Sequence, residues 1–121
     1  MHEASLIRSL LSQVEDVRRQ HGRANVHEIK IEIGPLSGVE SLLVRSAFET
    51  LAPEYGMSGA RLEIDEVPLS ARCPRCGVIA VEPQRIVCPI CGSQEMQIVG
   101  GDEVVLQCVT IFGPNPQEVT T

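Results

Sequence analysis

Between Ala4 and His21 the apolar residues Leu6, Ile7, Leu10, Leu11, Val14 and Val17 recur every three or four positions. That spacing predicts one buried face of an α-helix. Arg18, Arg19 and His21 fall in its last turn, where cations complement the helix dipole, and Gly22 supplies a stop. The period then changes. In HEIKIEIG, Ile29, Ile31 and Ile33 alternate with Glu28, Lys30 and Glu32, which predicts a half-buried strand ended by Gly34-Pro35. Ser37 to Glu40 has the form of a capping box. The helix behind it is expected to bury Val39, Leu42, Leu43, Ala47 and Leu51 and to end near Pro53. ARLEIDEVP alternates again, with Leu62 and Ile64 inward, Arg61, Glu63 and Asp65 outward, and Pro68 as its close.

Residues 71–100 have a different texture, with four cysteines, several prolines and glycines, and only short apolar runs. After Gly100-Gly101, EVVLQCVTIF is a strong β-former whose alternation breaks near Gln107-Cys108. Either both of its faces are covered or a bulge shifts its phase there. The expected fold is α+β: a small mixed sheet of about three strands covered by two helices, with a four-cysteine zinc-ribbon module inserted. Residues 1–69 and 101–113 would form the α+β domain, 70–100 the cysteine domain, and 114–121 a flexible tail.

Composition narrows the function classes. The chain has 121 residues, 43% of them apolar but only 2% aromatic, so its core is modest. A net charge of −6 offers no field for nucleic acid or an anionic membrane. It has neither a span-length apolar stretch nor a secretory leader, so the expected compartment is the reducing cytoplasm. No nucleophile–base set or phosphate loop is visible, and GPLSG lacks the length and lysine of a P-loop. The chain is therefore not expected to be an enzyme.

CPRCG (Cys73 to Gly77) and CPICG (Cys88 to Gly92) are one five-residue device used twice, with 11 residues between the inner cysteines. Two residues between thiols turn both sulfurs toward one point. The glycine supplies a positive φ that lets N–H groups face them. Cys73, Cys76, Cys88 and Cys91 thus form the ligand set of a closed structural zinc site. The alternatives are two disulfides or unligated thiols, which a reducing compartment and the duplicated pattern disfavour, and a rubredoxin-like iron. Metal binding would also explain how so short a segment folds. Cys108 has no cysteine neighbour and is expected in the core. His21 and His27 are expected as a helix-end cation and a strand-start polar residue.

Met1-His2-Glu3 presents a further metal chemistry. Methionine should be retained before a residue as large as His2. The α-amine, the His2 amide nitrogen and the His2 Nδ1 can close fused five- and six-membered chelate rings, with the Glu3 amide or carboxylate completing a square. Nitrogen-rich tetragonal sites suit Ni(II) or Cu(II). Amides at a helix start have no partner within the helix, so recruiting them breaks no helical bond. Position alone also fits a solvated terminus.

In combination, these pieces resemble the HypA/HybF family of hydrogenase nickel-incorporation proteins over nearly the whole chain. The matching stretches are MHEASL, IEIGPLSGVE, SAFETL, RLEIDEVP, the paired CPRCG and CPICG, and the GDE-plus-strand close. The resemblance implies a nickel metallochaperone serving the hydrogenase large subunit with a HypB-type nickel GTPase, and in some members urease maturation proteins. It implies His2 as the essential nickel ligand with the Met1 amine and the Glu3 backbone, and zinc on the four knuckle cysteines. Nickel would be transient cargo and the chain a monomer or weak homodimer, with neither nucleic acid nor membrane as a partner. The tail after Phe112 and Cys108 depart from the family pattern. The competing reading is a zinc-ribbon interaction or nucleic-acid-binding module with an incidental His2. The lack of aromatic stacking platforms and of a cationic groove counts against nucleic acid.

Overall fold

The computed structural model describes residues 3–22, 24–112 and 117–120. They fall into two compact units: residues up to 31, 39–65 and from 106 onward in the first, and 32–38 with 66–105 in the second.

In the first unit, α1 (Glu3–Gln20) buries Ile7, Leu10, Leu11 and Val14, the stripe that the helical period predicts. It packs against α2 (Ser41–Leu51), which continues into a short 3₁₀ turn at Ala52–Tyr55. Between the helices in sequence lies β1 (Asn25–Ile33), where Ile29, Ile31 and Ile33 are buried and the intervening Lys30 and Glu32 are not. β2 (Arg61–Glu66) follows α2 and buries Leu62. Arg61 pairs with Glu28 at 2.7 Å near the start of both strands, and the Val67 N–H donates to the Ile33 carbonyl at their far ends. Those two contacts make β1 and β2 parallel, with α2 as the crossover. The Arg45 guanidinium donates to the Leu62 carbonyl at 2.9 Å and ties α2 to β2.

We label β3 (Leu69–Cys73), β4 (Gly77–Val81) and β5 (Gln97–Gly100) in the second unit, then β6 (Val104–Phe112) and β7 (Gln117–Thr120). The strand after the cysteines does return to the first sheet, whose order is β2-β1-β6-β7. That makes four strands where about three were expected. Gln117–Thr120, inside the segment expected as a tail, pairs antiparallel with β6 from Ile111 to Cys108. The Gly34 N–H donates to the Glu103 carbonyl, so β6 enters the sheet running against β1. Cys108 and Val109 are consecutive and both buried, and the register with β7 runs unshifted from Cys108 to Ile111, which matches the alternative in which both faces of β6 are covered.

Two expectations about α2 fail. Its N-cap is Glu40 in an extended conformation with no side-chain capping bond, and Ser37 takes no part. The Ser37 N–H bonds instead to the Gly34 carbonyl, closing a turn before the helix begins. The buried face is Val44, Phe48 and Leu51, while Leu42 is 81% exposed and Leu43 49%. Phe48 sets that rotation, because the largest apolar side chain of the helix gains most from burial.

The second unit is built on a three-stranded antiparallel sheet in the order β4-β3-β5. Alternation along β3 buries Leu69, Ala71 and Cys73 and leaves Arg72 in solvent. A close backbone approach holds the 32–38 segment in this unit. The Leu36 N–H donates to the Gly101 carbonyl, and a Cβ on Gly34 would overlap that same carbonyl.

Candidate metal centres

The first knuckle is the turn of a hairpin. Cys73 ends β3 opposite Gly77, which begins β4, so Pro74, Arg75 and Cys76 form the connection. The in–out alternation of β3 therefore aims the Cys73 sulfur at the buried side. The second knuckle lies in the connection from β4 to β5. There the Gly92 N–H donates to the Cys88 carbonyl at 2.8 Å and the Cys88 N–H to the Ser93 carbonyl at 2.9 Å. Gly77 and Gly92 have φ of 86° and 74°, the left-handed conformation foreseen for the residue after each pair.

These two turns bring the sulfurs of Cys73, Cys76, Cys88 and Cys91 within 4.8 Å of one another. Cys73 and Cys91, from different knuckles, are 3.6 Å apart. A tetrahedral zinc with Zn–S bonds of about 2.3 Å separates its sulfurs by about 3.8 Å. The set fits such an ion closely in both donor chemistry and spacing. All four are free thiols, Cys73 and Cys88 buried, Cys76 and Cys91 exposed.

Backbone dipoles prepare one of them for a cation. The Cys91 N–H, aided by that of Ile90, points at the Cys88 sulfur and pulls its pKa from 9.0 down to about 6, against the opposing effect of burial. Cys76 is pushed up to about 12, first because its proton is shared with the Cys88 sulfur. A cation that displaces the shared proton lets both sulfurs act as thiolates.

The remaining candidates separate. Cys108 is buried in β6, outside the sulfur cluster. His21 places Nδ1 2.9 Å from the Val17 carbonyl at the end of α1, and His27 is exposed on β1. Glu3 is the first residue of α1 and half-buried. Met1 and His2, the other two residues of the expected terminal chelate, lie outside the described residues. Among the described residues no helix is long and apolar enough to cross a membrane. Alternation could not reveal the approach of Gly34 to Gly101. Its only trace in the sequence is a glycine at each partner position.

Known proteins match along nearly the full chain. A family model described as "Hydrogenase/urease nickel incorporation, metallochaperone" aligns with residues 1–111. A hydrogenase maturation factor HypA of Nitrosospira multiformis is 36% identical over 113 residues, covering 93% of this chain and 98% of that protein. Its counterpart in Cereibacter sphaeroides is 42% identical over 105 residues, covering 86% and 93%. The solution structure of the Ni metallochaperone HypA from Helicobacter pylori superposes with a TM-score of 0.68 at 28% identity, covering 92% of this chain and 97% of that one.

Proposed function

Because this chain belongs to the HypA family of hydrogenase/urease nickel-incorporation metallochaperones, we propose that it binds Ni(II) at its amino terminus and delivers it to the large subunit of nickel–iron hydrogenase. The observation that carries this reading is that the family match begins at residue 1 and so includes Met1-His2-Glu3. The Met1 amine, the His2 amide and Nδ1, and the Glu3 backbone supply the donors. α1 begins at Glu3, so the Glu3 amide belongs to the first turn and is not committed to the helix's own hydrogen bonds. Each amide that ligates loses a proton, so affinity rises with pH.

Cys73, Cys76, Cys88 and Cys91 would hold a structural zinc, which supplies folding energy to the ribbon rather than chemistry. The two metals then have opposite requirements. A closed four-sulfur site keeps its ion, whereas cargo must sit where another protein can take it. A HypB-type GTPase and the hydrogenase precursor are the partners, in the cytoplasm.

Calorimetric titration of untagged protein with Ni(II), beside His2→Ala and a form extended before Met1, tests the assignment. Both altered proteins should lose the tight site. Binding as tight as that of the native chain in both would refute it.

A further inference from the structure

Between the two knuckles of the second unit lies an open cavity of about 450 Å³. Pro74 and Arg75 line it from the first knuckle, and Cys91, Ser93 and Glu95 from the second knuckle and the residues after it. Of the four clustered cysteines, Cys91 alone lines this cavity. Its exposed sulfur is 3.6 Å from that of Cys73, which is only 2% exposed. A small oxidant arriving from solvent therefore meets Cys91 first, with a sheltered thiol already beside it. Cysteines that respond to oxidants have this arrangement: an accessible sulfur to be oxidised and a neighbour to resolve it.

We propose that Cys91 and Cys73 form a peroxide-sensitive pair, closed as a disulfide between the knuckles when hydrogen peroxide enters this cavity. The Cys91 thiolate attacks one peroxide oxygen, the O–O bond breaks and hydroxide leaves, giving a sulfenic acid. The Cys73 thiolate then attacks the Cys91 sulfur. The S–O bond breaks, the S–S bond forms and a second hydroxide leaves. Two thiolates lose two electrons in all, and one peroxide is reduced to two hydroxides. Arg75 lines the same cavity, so its guanidinium can donate to the departing oxygen. Cys76 is exposed but does not line this cavity, and Cys88 is 1% exposed and closed to solvent.

The pair makes the ribbon reversible. Joined, Cys73 and Cys91 leave two thiols where a closed site needs four. The oxidised ribbon then holds no zinc until a dithiol reductant reopens the bond. That consequence rests on the zinc reading above; the linkage itself does not.

Treatment of zinc-loaded protein with hydrogen peroxide tests the pairing, followed by peptide mass mapping and by zinc release to a chromophoric chelator. Cleavage after Arg72, Arg75 and Arg85 puts Cys73, Cys76 and Cys91 on three different tryptic peptides. The expected product joins the Cys73 peptide to the one that begins at Ile86, and fragmentation should place the bond on Cys91. Zinc should leave in step with that link, and dithiothreitol should restore both the thiols and zinc binding. Arg75→Gln should slow the linkage roughly tenfold, the loss expected for one hydrogen bond from a charged group. An unchanged rate there rejects the part given to Arg75. Inertness to peroxide, a link from Cys73 to Cys76 or from Cys88 to Cys91, or zinc release without a disulfide overturns the proposal. The same Cys73–Cys91 link in protein that takes up no zinc upholds the pair and rejects the zinc assignment.

Discussion

Replacing Gly101 with alanine should be among the most damaging single-methyl changes available to this protein. The residue has φ +88°, and a Cβ there would stand 2.6 Å from the Pro68 carbonyl oxygen and 2.7 Å from the Leu69 Cα. Both neighbours are backbone, so no rotamer change relieves the overlap. The left-handed conformation costs a non-glycine residue about 1–2 kcal/mol, and forcing an extra carbon into a filled space about 1–3 kcal/mol. The total, about 2–5 kcal/mol, is a large part of the roughly 5–15 kcal/mol by which domains are stable. Gly38→Ala separates the two contributions, because Gly38 has φ +79° with nothing within 4 Å of its would-be Cβ. It should lose only the conformational part. Urea unfolding of zinc-loaded protein, followed by circular dichroism and by zinc release to a chromophoric chelator, measures both variants. A Gly101→Ala protein within about 0.5 kcal/mol of Gly38→Ala, the usual range for a neutral change, would refute the close approach.

Cys73→Ala should lose stoichiometric zinc and unfold the ribbon while the core of the first unit persists; full zinc retention on elemental analysis would exclude its thiolate as a ligand. Phe48→Ala, which empties a buried site on α2, should cost about 3–5 kcal/mol by denaturant titration. In metal-free, reduced protein one thiol should deprotonate near pH 6, seen as thiolate absorbance, because Cys88 lies at about 6 and Cys76 at about 12. Since the Cys88 value is lowered by folding, its contribution to stability is complete above about pH 9 and is lost as pH falls through about 6. The raised Cys76 value acts the other way, contributing below about pH 9 and fading toward 12. Cys76 and Cys88 titrating together near 9 would contradict both shifts.

What could be read in the sequence was what depends on period. Ile29, Ile31 and Ile33 betrayed β1, Ile7 to Val14 betrayed α1, and the repeated Cys-Pro-x-Cys-Gly betrayed a four-sulfur cluster with positive φ at Gly77 and Gly92. α2 was misjudged because counting apolar residues assumes that each of them is buried. Leu42 and Leu43 are apolar and exposed, so the face turned on Phe48 instead. The capping box failed for a different reason. Ser37 belongs to a turn in which Leu36 is bonded to Gly101 and Gly34 to Glu103, more than sixty residues away, and no local pattern registers such partners. β7 went unforeseen because a short polar strand at an edge has little alternation to show. The chelate rests on chemistry and kinship alone, since Met1 and His2 lie outside the described residues.

The place of β6 in the sheet has a consequence for how the protein is made. β6 lies between β1 and β7, yet a ribosome produces it only after all four cysteines have emerged. Until then β1 has β2 on one side and a bare row of amides and carbonyls on the other, an edge that invites pairing with another chain. The nascent polypeptide therefore passes through a stage in which its metal-binding segment is complete and its sheet is not. Any cation that the four sulfurs take can therefore bind before β1 gains its second neighbour.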